Sequence, residues 1–199
     1  MKLGSHLRRI GRNEDGVTLI EFAFAAPVFI MMLMALFDMG FQIYAQSVLQ
    51  GAVQNAARAS TIEGNDPDAL DSAVRDNVQE VIPGATVTFT RTAYANFEDI
   101  GIAEDFTDTA GAEDGICNNG EPFEDVNGNG IWDADRGVDG AGGARDAVLY
   151  SATATFDRVF PFHEFVGLAE EITIEGATVL RNQPFNDLDN WETTIENCT

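Results

Sequence analysis

The sequence predicts an α+β fold: a long N-terminal helix packed on a small antiparallel sheet, with an acidic loop inserted between two strands. Three observations lead there. Residues 17 to 37 are almost all apolar, and apolar side chains then recur at spacings of three and four as far as Ala56. Three short segments further on alternate in the two-residue period of a half-buried strand. Residues 97 to 146 show neither period and are rich in acids and glycine.

The long helix comes first. Between Glu21 and Asp38, residues Phe22 to Phe37 carry no charge, and Val17 to Phe37 make 21 residues. At about 1.5 Å per residue that is enough to cross a hydrocarbon core about 30 Å thick. Pro27 falls inside this half and should kink or loosen it. Beyond Asp38 the helix is expected to continue, with Phe41, Tyr44, Val48, Leu49, Ala52, Val53 and Ala56 as an apolar stripe facing the domain's own core or a neighbouring subunit.

Charge sets the orientation. Four basic residues (Lys2, Arg8, Arg9 and Arg12) and two acids precede Val17; from Val17 onward seven bases face 31 acids, a net of −24. The basic flank belongs in the cytoplasm, and everything after Asp38 outside. A surface so acidic repels phosphate, which excludes nucleic acid as a partner. The only two cysteines, Cys117 and Cys198, share the outer, oxidising side, where a disulfide between them can persist.

Glu21 needs its own account. A cleaved signal peptide ending at Ala23-Phe24-Ala25 conflicts with Glu21, which interrupts an already short apolar stretch. A permanent signal anchor explains length and flanks but gives the carboxylate no purpose, although burying it costs about 2.5–3.5 kcal/mol at a helix centre and less near an end. The stretch Gly16-Val17-Thr18-Leu19-Ile20-Glu21-Phe22 resembles the type III signal of type IV pilins and pseudopilins. The resemblance implies that a prepilin peptidase cuts after Gly16, making Val17 the first mature residue and Glu21 the fifth. Glu21 would then pair with the new amino group of a neighbouring subunit, two charges that offset one another on assembly. Val17 stands where type IVa pilins commonly carry phenylalanine.

The string from Glu21 to Ser60 also resembles the TadE/TadG-like pseudopilins of tight-adherence pili. It carries Glu-Phe-Ala at the start, Pro27 early in the helix, Asp38-Met39-Gly40, and an alanine-rich end at Asn55-Ala56-Ala57-Arg58. Leu180-Arg181-Asn182-Gln183-Pro184-Phe185 resembles that family's closing strand. The implied molecule is a pilin-like minor subunit or assembly factor. It would sit in a bacterial inner membrane with its C-terminal domain in the periplasm and then at the pilus or cell surface. Its partners would be other pilin or pseudopilin subunits and the prepilin peptidase. The domains read as a leader over 1–16, a transmembrane and extended helix over 17–62, and an extracytoplasmic α+β domain over 63–199.

Within that domain Asp66 is an N-cap with Pro67 at the first helical position, and Leu70, Val74, Val78 and Val81 form one face before Pro83-Gly84 ends the helix. Residues 86 to 90, 147 to 156 and 172 to 180 read as strands, with Gly176 a bulge candidate. Pro161 to Leu168 reads as a short apolar connector or helix.

Inside the acidic insertion, Asp125-Val126-Asn127-Gly128-Asn129-Gly130-Ile131-Trp132-Asp133 matches the first nine positions of an EF-hand-type calcium loop. Oxygens would come from Asp125, Asn127 and Asn129, from the Ile131 carbonyl and from Asp133, with Gly130 at the sharp turn. Position twelve is Arg136 instead of glutamate, so a further ligand is required, with Glu121, Asp135 and Asp139 as candidates. The expectation is a weak structural calcium site.

Enzyme chemistry finds no support in the residues. The two histidines, His6 and His163, lie far apart in sequence, and no nucleophile elbow, phosphate loop or dinucleotide fingerprint occurs. The alternative to a filament subunit is a calcium-stabilised surface protein on a permanent anchor, and the mature N-terminus distinguishes the two.

Overall fold

A computed structural model describes residues 15–60, 66–111, 113–118, 120–182 and 191–199. The leader before Asp15, the Gly64-Asn65 break and the Gln183-Pro184-Phe185 motif lie outside the described residues. The elements run α1 (Asp15–Ser60), α2 (Pro67–Val81), β1 (Thr86–Tyr94), β2 (Pro122–Asp125), β3 (Val138–Asp139), β4 (Ala147–Asp157), α3 (His163–Val166), β5 (Glu171–Arg181) and β6 (Thr194–Asn197). They form two compact units. One contains α1 through Tyr44 together with Asp157–Ile172; the other contains Ala45–Phe156 and Thr173–Thr199.

In the first unit α1 runs unbroken through Pro27. The proline lacks an N–H, so the carbonyl four residues back, on Ala23, loses its helical donor. This half is long and apolar enough to cross a membrane, and none of its most apolar window is buried within the protein.

In the second unit the rest of α1 packs on a four-stranded sheet of order β3-β1-β4-β5. Strand β1 pairs antiparallel with β4 from Thr86↔Thr155 to Tyr94↔Ala147, and with β3 at Thr92↔Asp139 and Ala93↔Val138. The buried helix face is Ala45, Leu49, Ala52, Val53, Ala56 and Ala57. This corrects the expected stripe at its start: Tyr44 is 55 % exposed and Ala45 takes the inward position. Small side chains are needed there because the backbones come close. A Cβ on Gly176 would lie 3.1 Å from Leu49 Cγ and 3.5 Å from Gln50 Cα. Burial alternates without interruption across Gly176, so this glycine marks a close approach instead of the bulge expected from the sequence. Gln46 and Gln50, one helical turn apart, donate their side-chain amides to the carbonyls of Glu175 (2.6 Å) and Ala177 (2.9 Å) on the edge strand β5. A helical i,i+4 step and a strand i,i+2 step are nearly equal in length, so one pair of glutamines serves two successive outward positions.

Helix α2 starts as its residues require. Asp66 Oδ1 accepts the Asp68 N–H at 3.0 Å, and Pro67 occupies the first turn. Val74 and Val78 are buried, and Gly84 turns the chain at φ +89°. A polar cluster ties α2 to the sheet. Arg91 holds both oxygens of Asp71 at 2.5 and 3.0 Å, Tyr150 Oη donates to Asp71 at 2.7 Å, and the guanidinium lies 4.6 Å from the Tyr150 ring centre.

The acidic insertion carries a core of its own. Strand β2 pairs with β6 in a second, two-stranded antiparallel sheet, from Pro122↔Asn197 to Asp125↔Thr194. Phe123 is 1 % exposed, and the Phe106 and Trp132 rings meet edge to face at 5.7 Å. The partner strand comes from the end of the chain, which no local pattern in residues 97–146 reveals.

Candidate functional site

The first candidate site is the start of α1. Gly16, Val17 and Glu21 all lie within the helix and are exposed, Val17 by 54 %. The Gly16–Val17 bond lies at the N-terminal edge of the described part of α1. Among the described residues, no hydrogen bond or ion pair to Glu21 is made within the chain, and its carboxylate is open to another molecule.

At the other end of the apolar run stands a pair that the sequence did not announce. Arg158 Nη1 donates to Asp38 Oδ2 at 2.5 Å, with side-chain exposures of 15 % and 3 %. Asp38 Oδ1 is buried without a hydrogen-bond partner. The two residues are 120 apart in sequence, and the only local signal was an acid directly after an apolar run.

The second candidate site is the calcium-type loop, and the structure gathers most of its expected residues. Asp125, 2 % exposed, closes the turn: Oδ1 accepts the N–H groups of Gly128 (2.7 Å) and Asn129 (3.2 Å), and Oδ2 that of Gly130 (2.8 Å). Gly128 and Gly130 sit at φ +74° and +78°, where a side chain is strained. Asn127 Oδ1 accepts the Asn129 N–H at 3.1 Å, and Asn129 Oδ1 that of Ile131 at 2.7 Å. Both asparagine amides donate to Asp133 Oδ2, at 2.8 and 2.6 Å. Positions one, three, five and nine therefore converge.

The candidate extra ligands do not join them. Glu121 lies at the far end of β2 from Asp125, where its carboxylate accepts the N–H groups of Thr109 (2.7 Å) and Asn118 (3.2 Å) beside the Cys117–Cys198 disulfide. The two half-cystines are 5.5 Å apart at Cα. Asp135 accepts the Tyr94 hydroxyl at 2.8 Å, and Asp139 lies in β3. Arg136, at position twelve, turns its guanidinium to the Ala103 carbonyl, Asp99 and Asp105.

The residue that does reach the loop is Glu104, 2 % exposed, which sequence reasoning missed. Its Oε1 accepts the Val126 N–H at 2.8 Å and its Oε2 the Asp133 N–H at 3.0 Å, so one carboxylate clasps both ends of the loop. Its own backbone pairs with Asp133 and Trp132 at 3.0 and 2.8 Å. It precedes Asp125 by 21 positions, and the pair of carboxylates Glu104-Asp105 between Ala103 and Phe106 was the sole hint. Among the described residues there is no group of three or more His, Cys, Asp or Glu side chains placed to hold a metal ion. Any cation in this loop would depend on the amide and carbonyl oxygens as well.

Among the described residues, a helix long and apolar enough to cross a membrane continues into a part that packs on an antiparallel sheet, an α+β arrangement. Residues 16–58 match the family model described as TadE-like protein. That segment is TadE-like, as its residue pattern implied, and the family is pilus-associated and generally structural in role. No curated protein matches the chain, and no solved structure does.

Proposed function

We propose that the chain is a minor pilin or pseudopilin subunit, or an assembly factor, of a Tad-type pilus or related secretion system, processed by a prepilin peptidase. The observation that carries this reading is the start of the TadE-like segment at Gly16, with exposed Glu21 five residues on and an unburied apolar helix behind it. Cleavage after Gly16 creates a cation at Val17. A Glu21 carboxylate in one subunit and that amine in the next each resist burial alone, and together they set the register of packed helices. Filament neighbours would cover the apolar half once it leaves the bilayer.

Mass spectrometry of the mature N-terminus, in cells with and without the peptidase, tests the reading. A chain beginning at Val17 only when the peptidase is present is the expected result. A chain retaining Met1 in both sinks it in favour of the permanent anchor. Glu21→Gln should leave the membrane-bound amount unchanged and deplete the protein from sheared filaments.

We further propose that the loop around Asp125 takes a structural calcium ion. The donor chemistry fits a hard cation: oxygens alone, from Asp125, Asn127, Asn129, the Ile131 carbonyl and Asp133. Each asparagine oxygen that accepts one N–H keeps a second lone pair. With Arg136 at position twelve and amides at three and five the site is short of carboxylates, so its dissociation constant belongs on the order of 10⁻⁴–10⁻³ M. Calorimetric titration of the full chain in detergent should show heat in that range that Asp125→Ala abolishes; a flat titration overturns it.

A further inference from the structure

We infer that the connector Arg158–Ala169 is a second membrane contact, resting its apolar face in the headgroup–acyl boundary of the bilayer that α1 crosses. The inference rests on α1 being that membrane helix, and it adds a lipid-facing element outside it.

Position is the first argument. Twenty-one residues from Val17 at about 1.5 Å each reach the far side of the hydrocarbon near Phe37. The connector is held at that level from two directions. Arg158 pairs with Asp38 at 2.5 Å, and the Phe160 ring lies 6.4 Å from the Phe37 ring. Both contacts fall within one compact unit.

Surface chemistry is the second. Phe165 is 75 % exposed, Val166 57 %, Val159 55 % and Leu168 50 %, alongside Leu36, Phe37 and Met39 of α1 at 62 % each. An exposed apolar patch continuous with a membrane-crossing surface has its natural partner in lipid. Electrostatic attraction to anionic lipid is not available to a chain this acidic, so apolar contact drives the docking and neutral lipid suffices.

Backbone satisfaction is the third. Bare N–H and C=O groups are not tolerated against lipid. Here Arg158 N–H donates to Glu170 O at 2.9 Å, Phe165 N–H to Phe162 O at 3.0 Å, and Gly167 and Leu168 N–H to His163 O at 2.9 and 3.1 Å. Arg158 Nε takes up the Ala169 carbonyl at 2.8 Å, and His163 Nδ1 lies 3.1 Å from the Phe160 carbonyl. These bonds reduce the number of bare backbone groups that would face lipid. The Asp38–Arg158 pair keeps the Asp38 carboxylate buried against a cation, while Glu164, also on the connector, is exposed.

The test places nitroxide labels on the full chain in phosphatidylcholine nanodiscs at one chain per disc, without reductant. Phe165→Cys and Val166→Cys report the connector, Phe29→Cys the membrane span and Asn77→Cys the aqueous face. The expected result is that both connector labels match Phe29→Cys in oxygen collision and show several-fold less collision with a water-soluble nickel chelate than Asn77→Cys. Connector labels as open to nickel as Asn77→Cys, with Phe29→Cys still protected, overturn the inference and leave the membrane helix standing. Connector labels shielded from both reagents mean that protein covers the face, which also overturns it. Nickel access at Phe29→Cys overturns both readings.

Discussion

Asp38 and Arg158 form a largely buried ion pair. Removing one partner of a buried ion pair leaves an uncompensated charge and costs about 3–5 kcal/mol, whereas replacing both by apolar residues is often neutral. Arg158→Ala should lose stability on that scale in denaturant unfolding in micelles, and Asp38→Leu with Arg158→Leu should recover most of it. Equal stability of single variant and parent would mean that the pair is solvated. Glu104 acts at the same scale, through hydrogen bonds to the loop's backbone. Glu104→Gln keeps the volume but turns an amide donor toward one of the N–H groups that the carboxylate accepts. Hydrogen bonds to a charged group are worth about 1.5–3 kcal/mol. Amide hydrogen exchange should therefore quicken at Val126 and Asp133 while the sheet amides stay protected; unchanged exchange there would remove Glu104 as the clasp.

Among the elements, the contact between α1 and β5 depends on the missing side chain at Gly176. Gly176→Val pushes branched carbons into Leu49 and Gln50, and overpacking of this kind costs about 1–3 kcal/mol. The same substitution should disturb the Gln46 and Gln50 amides that cover β5 carbonyls, seen as shifted side-chain amide resonances. The β2–β6 ribbon relies on another device. Two four-residue strands are marginal by themselves, and the Cys117–Cys198 disulfide closes the chain across a separation of 81 residues. Loop entropy on that scale is worth about 4 kcal/mol. Cys117→Ser with Cys198→Ser should lower the melting temperature and make residues 106–125 sensitive to protease first; a parent-like digestion pattern would show that the ribbon holds without its staple.

For the molecule as a whole, alkaline pH tests how the sheet is tied to its surroundings. Burial, reinforced by the hydrogen bond and charge of Asp135, pushes the Tyr94 phenol up to about 12. Burial likewise raises Tyr150, with Asp71 adding to the shift and Arg91 opposing it. A phenol held above its unfolded value of about 10 binds its proton more tightly in the folded chain. Its contribution to stability is whole below about pH 10 and is lost as the pH climbs through 12. Unfolding free energy should therefore fall across that window, and tyrosinate absorbance from these two side chains should emerge only with unfolding. Tyr94→Phe should flatten part of the decline; an unaltered slope would mean that the phenol is solvated.

The covalent order of residues determined what depends on neighbours in the chain. The span from Val17 to Phe37, the Asp66 cap with Pro67, and the alternation in β1, β4 and β5 are one-dimensional patterns, because a helix or strand repeats every 3.6 or 2 residues. The TadE-like segment was legible for the same reason, as was the Asp125 turn, whose glycines and asparagines lie within nine positions. The tertiary structure alone decided the long-range pairings: Arg158 under Asp38, Glu104 across the loop in place of Glu121, β6 returning to β2, and Ala45 instead of Tyr44 facing the sheet. Each depends on which surfaces meet once burial has brought distant segments together, and no local period encodes that.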